Sequence, residues 1–406
     1  MLWDRSVVSA GLPRHDAGGR NQSATDHQLR GVPGLVSDKS GRSLAGKRLD
    51  HRLAFRADRI YTRGELAVGQ VIGLDIGGAN LKASDGLDRT IDTPFPMWQR
   101  VGELTSALRS LTSVWTDDID EIAVTMTGEL ADCFRTRAEG VDRILTAVED
   151  AFPRSIVRVW QTCGEFVHPD EARDCPVLTA AANWHALATF AARVCLQDES
   201  LLMDIGSTTT DLIRIRNGTP LTEGLTDLMR LQQGELVYTG VRRTPLCAVA
   251  DTVFWDGVST PLAAEWFATT RDLYLWTGEI AEVPDDHDTA NARPATRECA
   301  RDRLTRTVCS DTDEMGDSAV TALVQSLIAS QEQQIRTALE RVLARLEGPL
   351  RAVIFAGEGE FLARKIVAEI PEMQAAERFS LGQLLGECHS RGACAYALAR
   401  LATERL

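Results

Sequence analysis

Apolar residues recur along the chain in two alternating patterns, one typical of buried strands and the other of amphipathic helices. Short aliphatic runs such as VIGLDI (71–76) and SLLMDI (200–205) predict strands. Segments such as WQRVGELTSALRSLTSVW (98–115) and VDRILTAVEDAF (141–152) place apolar residues three or four positions apart, as one face of a helix requires. The alternation of strands and helices predicts an α/β fold.

Two of the predicted strands end in the same way, in Asp-Ile-Gly followed by a turn of small residues. The first is VIGLDIGGANLKAS (71–84) and the second is SLLMDIGSTTTDLIRI (200–215), so that Asp75 and Asp204 are 129 residues apart, about one domain length. A third glycine-rich turn, FAGEGEF (355–361), follows another apolar run. This degenerate repeat predicts two α/β lobes, residues 67–199 and 200–406, with a helical insertion in the second lobe.

The turns have a composition suited to binding phosphate. Glycine at the tip of a strand-turn-strand exposes successive backbone N–H groups, and hydroxyl side chains add further donors. An aspartate just before such a turn does not bind phosphate itself, but it suits a Mg²⁺ ion that carries the phosphates. The alternative is that the glycines only form tight hairpins and that Asp75 and Asp204 cap the turns.

Taken together, the three turns resemble known nucleotide-binding loops. GLDIGGANLKAS, LLMDIGSTTTDL and IFAGEGEF are similar to the phosphate-1, phosphate-2 and adenosine loops of the superfamily that contains acetate and sugar kinases, heat-shock ATPases and actin. The resemblance implies two ribonuclease-H-like lobes that face each other across a central cleft.

Longer segments resemble a narrower family. LDIGGANLKAS, MTGELADCFRTRAEGV, DIGSTTTDLI, GELVYTGVRRTPLCAV and FATTRDLYLWTG are similar to the hydantoinase/oxoprolinase-related proteins of tetrahydromethanopterin-linked C1 transfer, from about Val71 almost to the C-terminus. The resemblance implies a transferase of methanofuran biosynthesis. Such an enzyme joins an aminomethylfuran-methyl diphosphate to the phenol oxygen of a glutamyl-tyramine or tyrosine acceptor and releases diphosphate.

This resemblance assigns roles to individual residues. It implies that Asp75 and Asp204 are catalytic and hold Mg²⁺, and that Lys82 and Arg243 are cations for the diphosphate. The implied phosphate cradle consists of Gly77, Gly78, Asn80, Thr127, Gly128, Gly206, Ser207, Thr208, Thr209, Thr210, Gly357 and Gly359. Strand alternation leaves open whether Lys82 points to the phosphates or to solvent, and Arg242 with Arg243 forms either a phosphate contact or a solvated surface pair.

A phenol with a pKa near ~10 needs a base to expose its oxygen. Glu129 in MTGEL is the expected catalytic base, because it lies on a glycine-preceded loop at the end of a strand, and Asp132 is the next candidate. Alternatively, either carboxylate complements the dipole of the helix that begins nearby.

Two other classes of function stay open. One is an ATP-dependent kinase or a hydantoinase/oxoprolinase-like amide hydrolase, and the other is a non-catalytic nucleotide-sensing or assembly protein. ATP is expected only under the kinase or hydrolase alternative. The two glutamates of FAGEGEF, Glu358 and Glu360, argue against a nucleotide, since negative charge there disfavours its phosphates.

Composition limits the classes of partner and the cellular compartment to be expected. The formal net charge of −14 argues against general nucleic-acid binding, and runs such as RAVIFAG are far shorter than a membrane-spanning helix. The nine cysteines include no CxxC pair, which favours a reducing cytoplasm. Expected partners are the phosphorylated furan, the phenolic acceptor and, in a homodimer, a second copy of the chain.

The first 66 residues differ in composition from the rest, with many Arg, Asp, Gly and Ser and almost no apolar periodicity. This predicts a disordered leader, residues 1–66, that could also be a functional tail, a transit-like segment or an over-extended start. We expect its deletion to leave stability and activity unchanged.

Overall fold

The computed structural model describes residues 69–115, 118–255 and 257–405. The predicted leader lies outside the described residues, so the expectation for it stays a prediction. Within the described ranges, no helix is long and apolar enough to cross a membrane.

The strands are short and occur along the whole described chain. In chain order they are β1 (Gln70–Ile76), β2 (Asn80–Ser84), β3 (Thr90–Pro94), β4 (Ile119–Met126), β5 (Ile156–Trp160), β6 (Phe166–Val167), β7 (Glu199–Ile205), β8 (Thr210–Arg216), β9 (Thr219–Pro220), β10 (Leu236–Val237), β11 (Thr252–Trp255), β12 (Val258–Pro261), β13 (Leu350–Ala356) and β14 (Glu377–Ser380).

The helices alternate with these strands. They are α1 (Met97–Arg100), α2 (Leu104–Thr112), α3 (Arg137–Ala151), α4 (Pro169–Asp174), α5 (Pro176–Thr179), α6 (Asn183–Ala191), α7 (Asp227–Gln233), α8 (Leu246–Val249), α9 (Thr270–Thr277), α10 (Arg297–Arg306), α11 (Asp317–Leu343), α12 (Glu360–Ala368), α13 (Leu381–Leu385), α14 (Glu387–Ser390) and α15 (Ala393–Glu404). Short 3₁₀ turns cover Val101–Glu103, Ala192–Val194 and Pro371–Met373.

Apart from the separate pair β11–β12, the described strands form two sheets with the same internal plan. The first has the order β3-β2-β1-β4-β5-β6, and the second has the order β10-β8-β7-β13-β14, with β9 beside β8. In each, the strand that carries Asp-Ile-Gly pairs antiparallel with the strand after the turn and parallel with a later strand on its other side. This is the ribonuclease-H-like arrangement, and the prediction of an α/β protein with two such lobes is confirmed.

Helix α15 connects the two lobes through its packing. The last helix, α15, is apolar on nearly all sides, as expected of a helix buried between layers. Its Leu398 and Leu401 pack with Val71 in the core of the first sheet. Its Tyr396 packs with Leu202 of the second sheet, in a cluster that also contains residues of α6. A division at residues 199 and 200 therefore separates the sheets, whereas α15 belongs to the cores of both lobes.

The second lobe carries the predicted helical insertion between β10 and β13. It consists of α8, the hairpin β11–β12, α9, α10 and the long helix α11, which has 27 residues. Residues of α9, α10 and α11 share one apolar core with β7 and β13, so the insertion is part of the lobe. The hairpin within it was not predicted.

Candidate functional site

The first glycine turn joins β1 to β2 at the end of the strand that carries Asp75. The turn is closed by the N–H of Gly77, which donates to the carbonyl of Asn80 at 2.9 Å. The loop after β4 packs directly on this turn, because the N–H groups of Thr127 and Gly128 both donate to the Ile76 carbonyl, at 2.9 and 3.1 Å. A side chain at Gly128 would lie 3.2 Å from the nitrogen of Gly78. The predicted glycines of these two loops therefore lie together.

The second turn joins β7 to β8 and is held by the segment YTGVRR, residues 238–243. The N–H of Gly206 donates to the Thr209 carbonyl at 2.9 Å, which closes the turn. The N–H groups of Arg242 and Arg243 donate to the Ser207 carbonyl at 3.0 and 2.9 Å. Ser207, Thr208 and Thr209 are half-buried along this turn. The main chain of YTGVRR thus holds the hydroxyl turn in place through these two hydrogen bonds.

Thr210 is set apart from the other hydroxyl residues of the turn. Its side chain is fully buried, and its hydroxyl donates to the carbonyl of Thr239 at 2.8 Å. Thr210 was expected to contribute a donor to the phosphate cradle, but strand alternation directs it into the lobe, where the hydroxyl anchors YTGVRR.

The third glycine-rich loop lies against the second turn. The N–H of Gly359 donates to the Ile205 carbonyl at 2.8 Å. Gly357 has a φ of +82°, and a Cβ there would lie 2.4 Å from the Oδ1 atom of Asp204. Only glycine combines this backbone conformation with so close an approach. The loop therefore borders Asp204 directly.

Both glutamates of the third loop have local partners. Glu358 forms an ion pair with the guanidinium of Arg242. Glu360 pairs with Arg364 at 2.6 Å and accepts a hydrogen bond from Ser380 at 2.6 Å. Their charges are compensated within the protein, so these two glutamates no longer argue against a bound nucleotide. The side chain of Arg243, by contrast, is exposed.

Acidic groups from both lobes meet at the turns. Lys82 of β2 places its Nζ atom 3.6 Å from Oδ2 of Asp75, which shows that Lys82 points toward this site. Burial by itself would lower the pKa of Lys82, but the charges of Asp75, Cys394, Asp92 and Asp204 raise it. Burial raises the pKa of Asp204 to about 7, with further contributions from Asp211 and Asp75. Asp75 and Asp204 are therefore close enough to interact across the two lobes.

Mg²⁺ fits the donors present here. Asp75 is 4% exposed, and its Oδ1 atom is buried without a hydrogen-bond partner among the described residues. No group of three or more His, Cys, Asp or Glu side chains in the described part of the chain forms a complete metal site. Mg²⁺ is commonly held by one or two carboxylates together with substrate phosphates and water. Asp75 and Asp204 would supply two such carboxylates.

Glu129 is buried beside the first turn. Its side chain is 1% exposed, and no described residue donates to its Oε2 atom. Burial raises the pKa of Glu129 to about 7, and the charge of Asp227 in the second lobe adds to this, whereas Arg137 opposes it. A carboxylate with such a pKa is suited to accept a proton near neutral pH. Asp132, the second candidate base, is exposed.

A buried ion pair next to the hydroxyl turn was not predicted. Arg230 of α7 is 1% exposed and donates to Oδ1 of Asp211 at 2.6 Å. Its guanidinium also lies 4.0 Å from the ring centroid of Trp184 and 3.7 Å from the carboxylate of Asp227. Asp211 faces Asp204 across β7 and β8. Its position between four hydroxyl residues and the apolar pair Leu212 and Ile213 was the available sequence signal.

Comparison with known proteins identifies the family. The sequence pattern of the hydantoinase/oxoprolinase family matches residues 120–404, which include the MTGEL loop, the hydroxyl turn and the third glycine-rich loop. The chain belongs to the hydantoinase/oxoprolinase family. The predicted family membership is thus confirmed over most of the chain.

Two curated proteins are similar to this chain in sequence and carry the same name, (4-{4-[2-(γ-L-glutamylamino)ethyl]phenoxymethyl}furan-2-yl)methanamine synthase. The protein from Methanocaldococcus jannaschii is 33% identical over 339 residues, which cover 83% of this chain and 98% of that protein. The protein from Methanococcus vannielii is 27% identical over 191 residues, which cover 46% of this chain and 83% of that protein.

Solved structures are more distant from this hydantoinase/oxoprolinase family member. Component A of the (R)-2-hydroxyglutaryl-CoA dehydratase of Acidaminococcus fermentans is 10% identical, with a TM-score of 0.40 over 82% of this chain and 98% of that chain. Likeness at this level carries no argument about function, and the fold rests on the sheet topology described above.

Proposed function

We propose that this hydantoinase/oxoprolinase family member is a transferase of methanofuran biosynthesis. It joins an aminomethylfuran-methyl diphosphate to the phenol oxygen of a glutamyl-tyramine or tyrosine acceptor and releases diphosphate. The observation that carries the proposal is the placement of Asp75 and Asp204 at the ends of corresponding strands in the two lobes, next to glycine-rich turns, with Lys82 3.6 Å from Asp75. The name and the coverage of the Methanocaldococcus jannaschii relative supply the substrate class.

The turns bind and orient the diphosphate in this proposal. Backbone N–H groups of Gly78 and of the Ser207–Thr209 turn, together with the hydroxyls of that turn, donate to phosphate oxygens. Lys82, held near Asp75, contributes a positive charge on the first-lobe side. Mg²⁺ held by Asp75 and Asp204 would supply further positive charge to the leaving diphosphate.

The reaction exchanges one C–O bond for another. The bond between the furfuryl carbon and the diphosphate oxygen breaks, and its electron pair leaves with diphosphate. The electron-rich furan spreads the positive charge that develops on the carbon, and the phenol oxygen forms the new ether bond. The phenol proton passes to the carboxylate of Glu129, whose pKa of about 7 lets it accept a proton at neutral pH.

Calorimetry with inorganic diphosphate and Mg²⁺ tests the binding half of this proposal. We expect diphosphate to bind the wild type only with Mg²⁺, and Asp75→Asn and Asp204→Asn each to abolish that binding. Each variant should lower turnover by about 10²- to 10³-fold, because it removes one essential electrostatic partner. The double variant should be little worse than either single one, since both residues act on the same ion.

Asp118→Asn is the matched control, because this carboxylate is 84% exposed and pairs with Arg154 on the surface. It should change neither binding nor turnover. Equal binding of diphosphate without Mg²⁺ and in both aspartate variants would show that Asp75, Asp204 and Mg²⁺ do not hold the diphosphate. Tight binding of ATP without binding of diphosphate would favour the ATP-dependent kinase or amide hydrolase instead.

A further inference from the structure

The ion pair between Arg242 and Glu358 joins the two loops that border Asp204. Arg242 belongs to YTGVRR, and its N–H donates to the carbonyl of Ser207 at 3.0 Å, so its main chain is fixed on the hydroxyl turn. Glu358 stands between Gly357, which abuts the Asp204 carboxylate, and Gly359, which is bonded to Ile205. Both charged side chains therefore start from main chain that touches the proposed diphosphate site.

Other carboxylates lie near Glu358 in this region. Asp204 faces Asp211, which pairs with Arg230, and Lys82 pairs with Asp75. Glu358 is also close to Asp92 of β3 in the first lobe, where desolvation and the charges of Asp75 and Glu358 raise the pKa of the carboxyl. The pairing with Arg242 compensates the charge of Glu358, so an incoming diphosphate acts on Glu358 by competing for Arg242.

Arg242 can exchange its partner with little loss. The side chains of Arg242 and Glu358 are 33% and 42% exposed, and ion pairs in contact with water are weak. A guanidinium forms stronger, bidentate hydrogen bonds with the oxygens of a phosphate group. Diphosphate can therefore compete with Glu358 for Arg242.

We propose that Glu358 is an internal substitute anion that occupies Arg242 until diphosphate displaces it. Arg242 then becomes a ligand of the leaving group, and Glu358 sets the affinity of the site for diphosphate. This inference rests on the proposed function. It also gives the charged residues of FAGEGEF a role in a site without ATP: Glu358 lowers the affinity for released diphosphate and so favours product release.

Titration of inorganic diphosphate, in the presence of Mg²⁺, into single and double variants tests the exchange. Glu358→Gln should tighten diphosphate binding by about three- to tenfold, because a weak competing pair is removed. Arg242→Met should weaken it by about tenfold or more, because a charge-assisted contact is lost. In the Arg242→Met background, Glu358→Gln should change the affinity by less than about twofold, since the two residues act as a pair.

Glu369→Gln is the control for the loss of one negative charge. Glu369 pairs with Arg336 at 2.7 Å on the surface of the same lobe, and its substitution should leave diphosphate affinity unchanged. Arg242→Lys keeps the charge and should retain more affinity than Arg242→Met. Melting temperatures of all variants show whether each is folded.

The outcomes separate this inference from the proposed function. A wild type that binds no diphosphate overturns both. If the wild type binds diphosphate but Glu358→Gln does not bind it more tightly, only the inference fails. An equal gain from Glu358→Gln with and without Arg242 would show that Glu358 merely repels the ligand, and the exchange of partners would be wrong.

Discussion

Replacing Glu129 by glutamine should stabilise the protein at alkaline pH and strongly lower turnover. The side chain is 1% exposed, and its Oε2 atom finds no partner in the described ranges. Burial is the main reason that its pKa rises from 4.5 to about 7. That difference corresponds to about 3 kcal/mol of unfolding free energy by which the ionised carboxylate destabilises the fold.

The direction in which the free energy of unfolding changes with pH follows from proton binding. Between pH 4.5 and about 7, the folded state holds a proton on Glu129 that the unfolded state has lost. The free energy of unfolding therefore falls as pH rises through this window and does not fall further above it. Below pH 4.5 both states are protonated, so the wild type and Glu129→Gln should be equally stable.

Urea unfolding at several pH values measures the difference. Glu129→Gln should be more stable than the wild type by about 3 kcal/mol at pH 8, and the difference should shrink to near zero at pH 4.5. Glu199→Gln is the matched control. Glu199 is also buried, but a side-chain hydrogen bond from Arg214 lowers its pKa, so this substitution should be destabilising at neutral pH. The wild-type Glu199 contribution is lost as pH falls through that lowered pKa.

Turnover provides the second half of the test. As the catalytic base, Glu129 must be ionised, so the wild-type rate should rise as pH rises through about 7. Glu129→Gln should lower turnover by about 10²- to 10⁴-fold, the usual contribution of a positioned base. A variant that is less stable at every pH would show that the carboxylate is paired in the fold. A variant that keeps its activity would remove Glu129 from the reaction.

Three further substitutions test the turns. Gly357→Ala should weaken Mg²⁺-diphosphate binding and lower the melting temperature. The added Cβ would lie 2.3 Å from the Ile205 carbonyl oxygen, and the residue has a φ of +82°. Unchanged binding would show that the loop is remote from the site. Thr209→Ala should cost about fivefold in diphosphate affinity, whereas Thr210→Val should cost about 1 kcal/mol of stability by urea unfolding and leave affinity intact. The opposite pattern would place the Thr210 hydroxyl, and not that of Thr209, in the cradle.

The glycine turns could be predicted because their determinants are local. Each Asp-Ile-Gly ends a buried strand, and the turn after it is closed by a hydrogen bond spanning three residues, from Gly77 to Asn80 and from Gly206 to Thr209. Local composition and strand period fix such a hairpin. The hairpin β11–β12 carries the same kind of signal, Asp-Gly between apolar residues, and Gly257 there has a φ of +77°. It was predictable but was not predicted.

The ion pairs of the site were not predictable from local pattern. Arg242 and Glu358 are 116 residues apart, and Arg230 and Asp211 are 19 apart on different elements. Charged residues are mostly exposed, so the sequence alone favours a solvated arginine at each position. Burial of Arg230 becomes favourable only when folding supplies the Asp211 carboxylate and the Trp184 ring. These partners are brought together by the packing of the second lobe. No repeat within the sequence indicates them.

The separation of Asp75 and Asp204 on two lobes has a consequence for their chemistry. Each aspartate is fixed within its own sheet, at the end of β1 or β7, so the distance between the two carboxylates depends on how the lobes are held together. Helix α15 supplies much of that support, because Leu398 packs in the core of the first sheet and Tyr396 in that of the second. The second residue of the same helix, Cys394, is buried next to the aspartates, whose charges, after burial itself, raise the pKa of its thiol. The C-terminal helix therefore contributes to the geometry of the site, although none of the motifs that predicted the site lies within it.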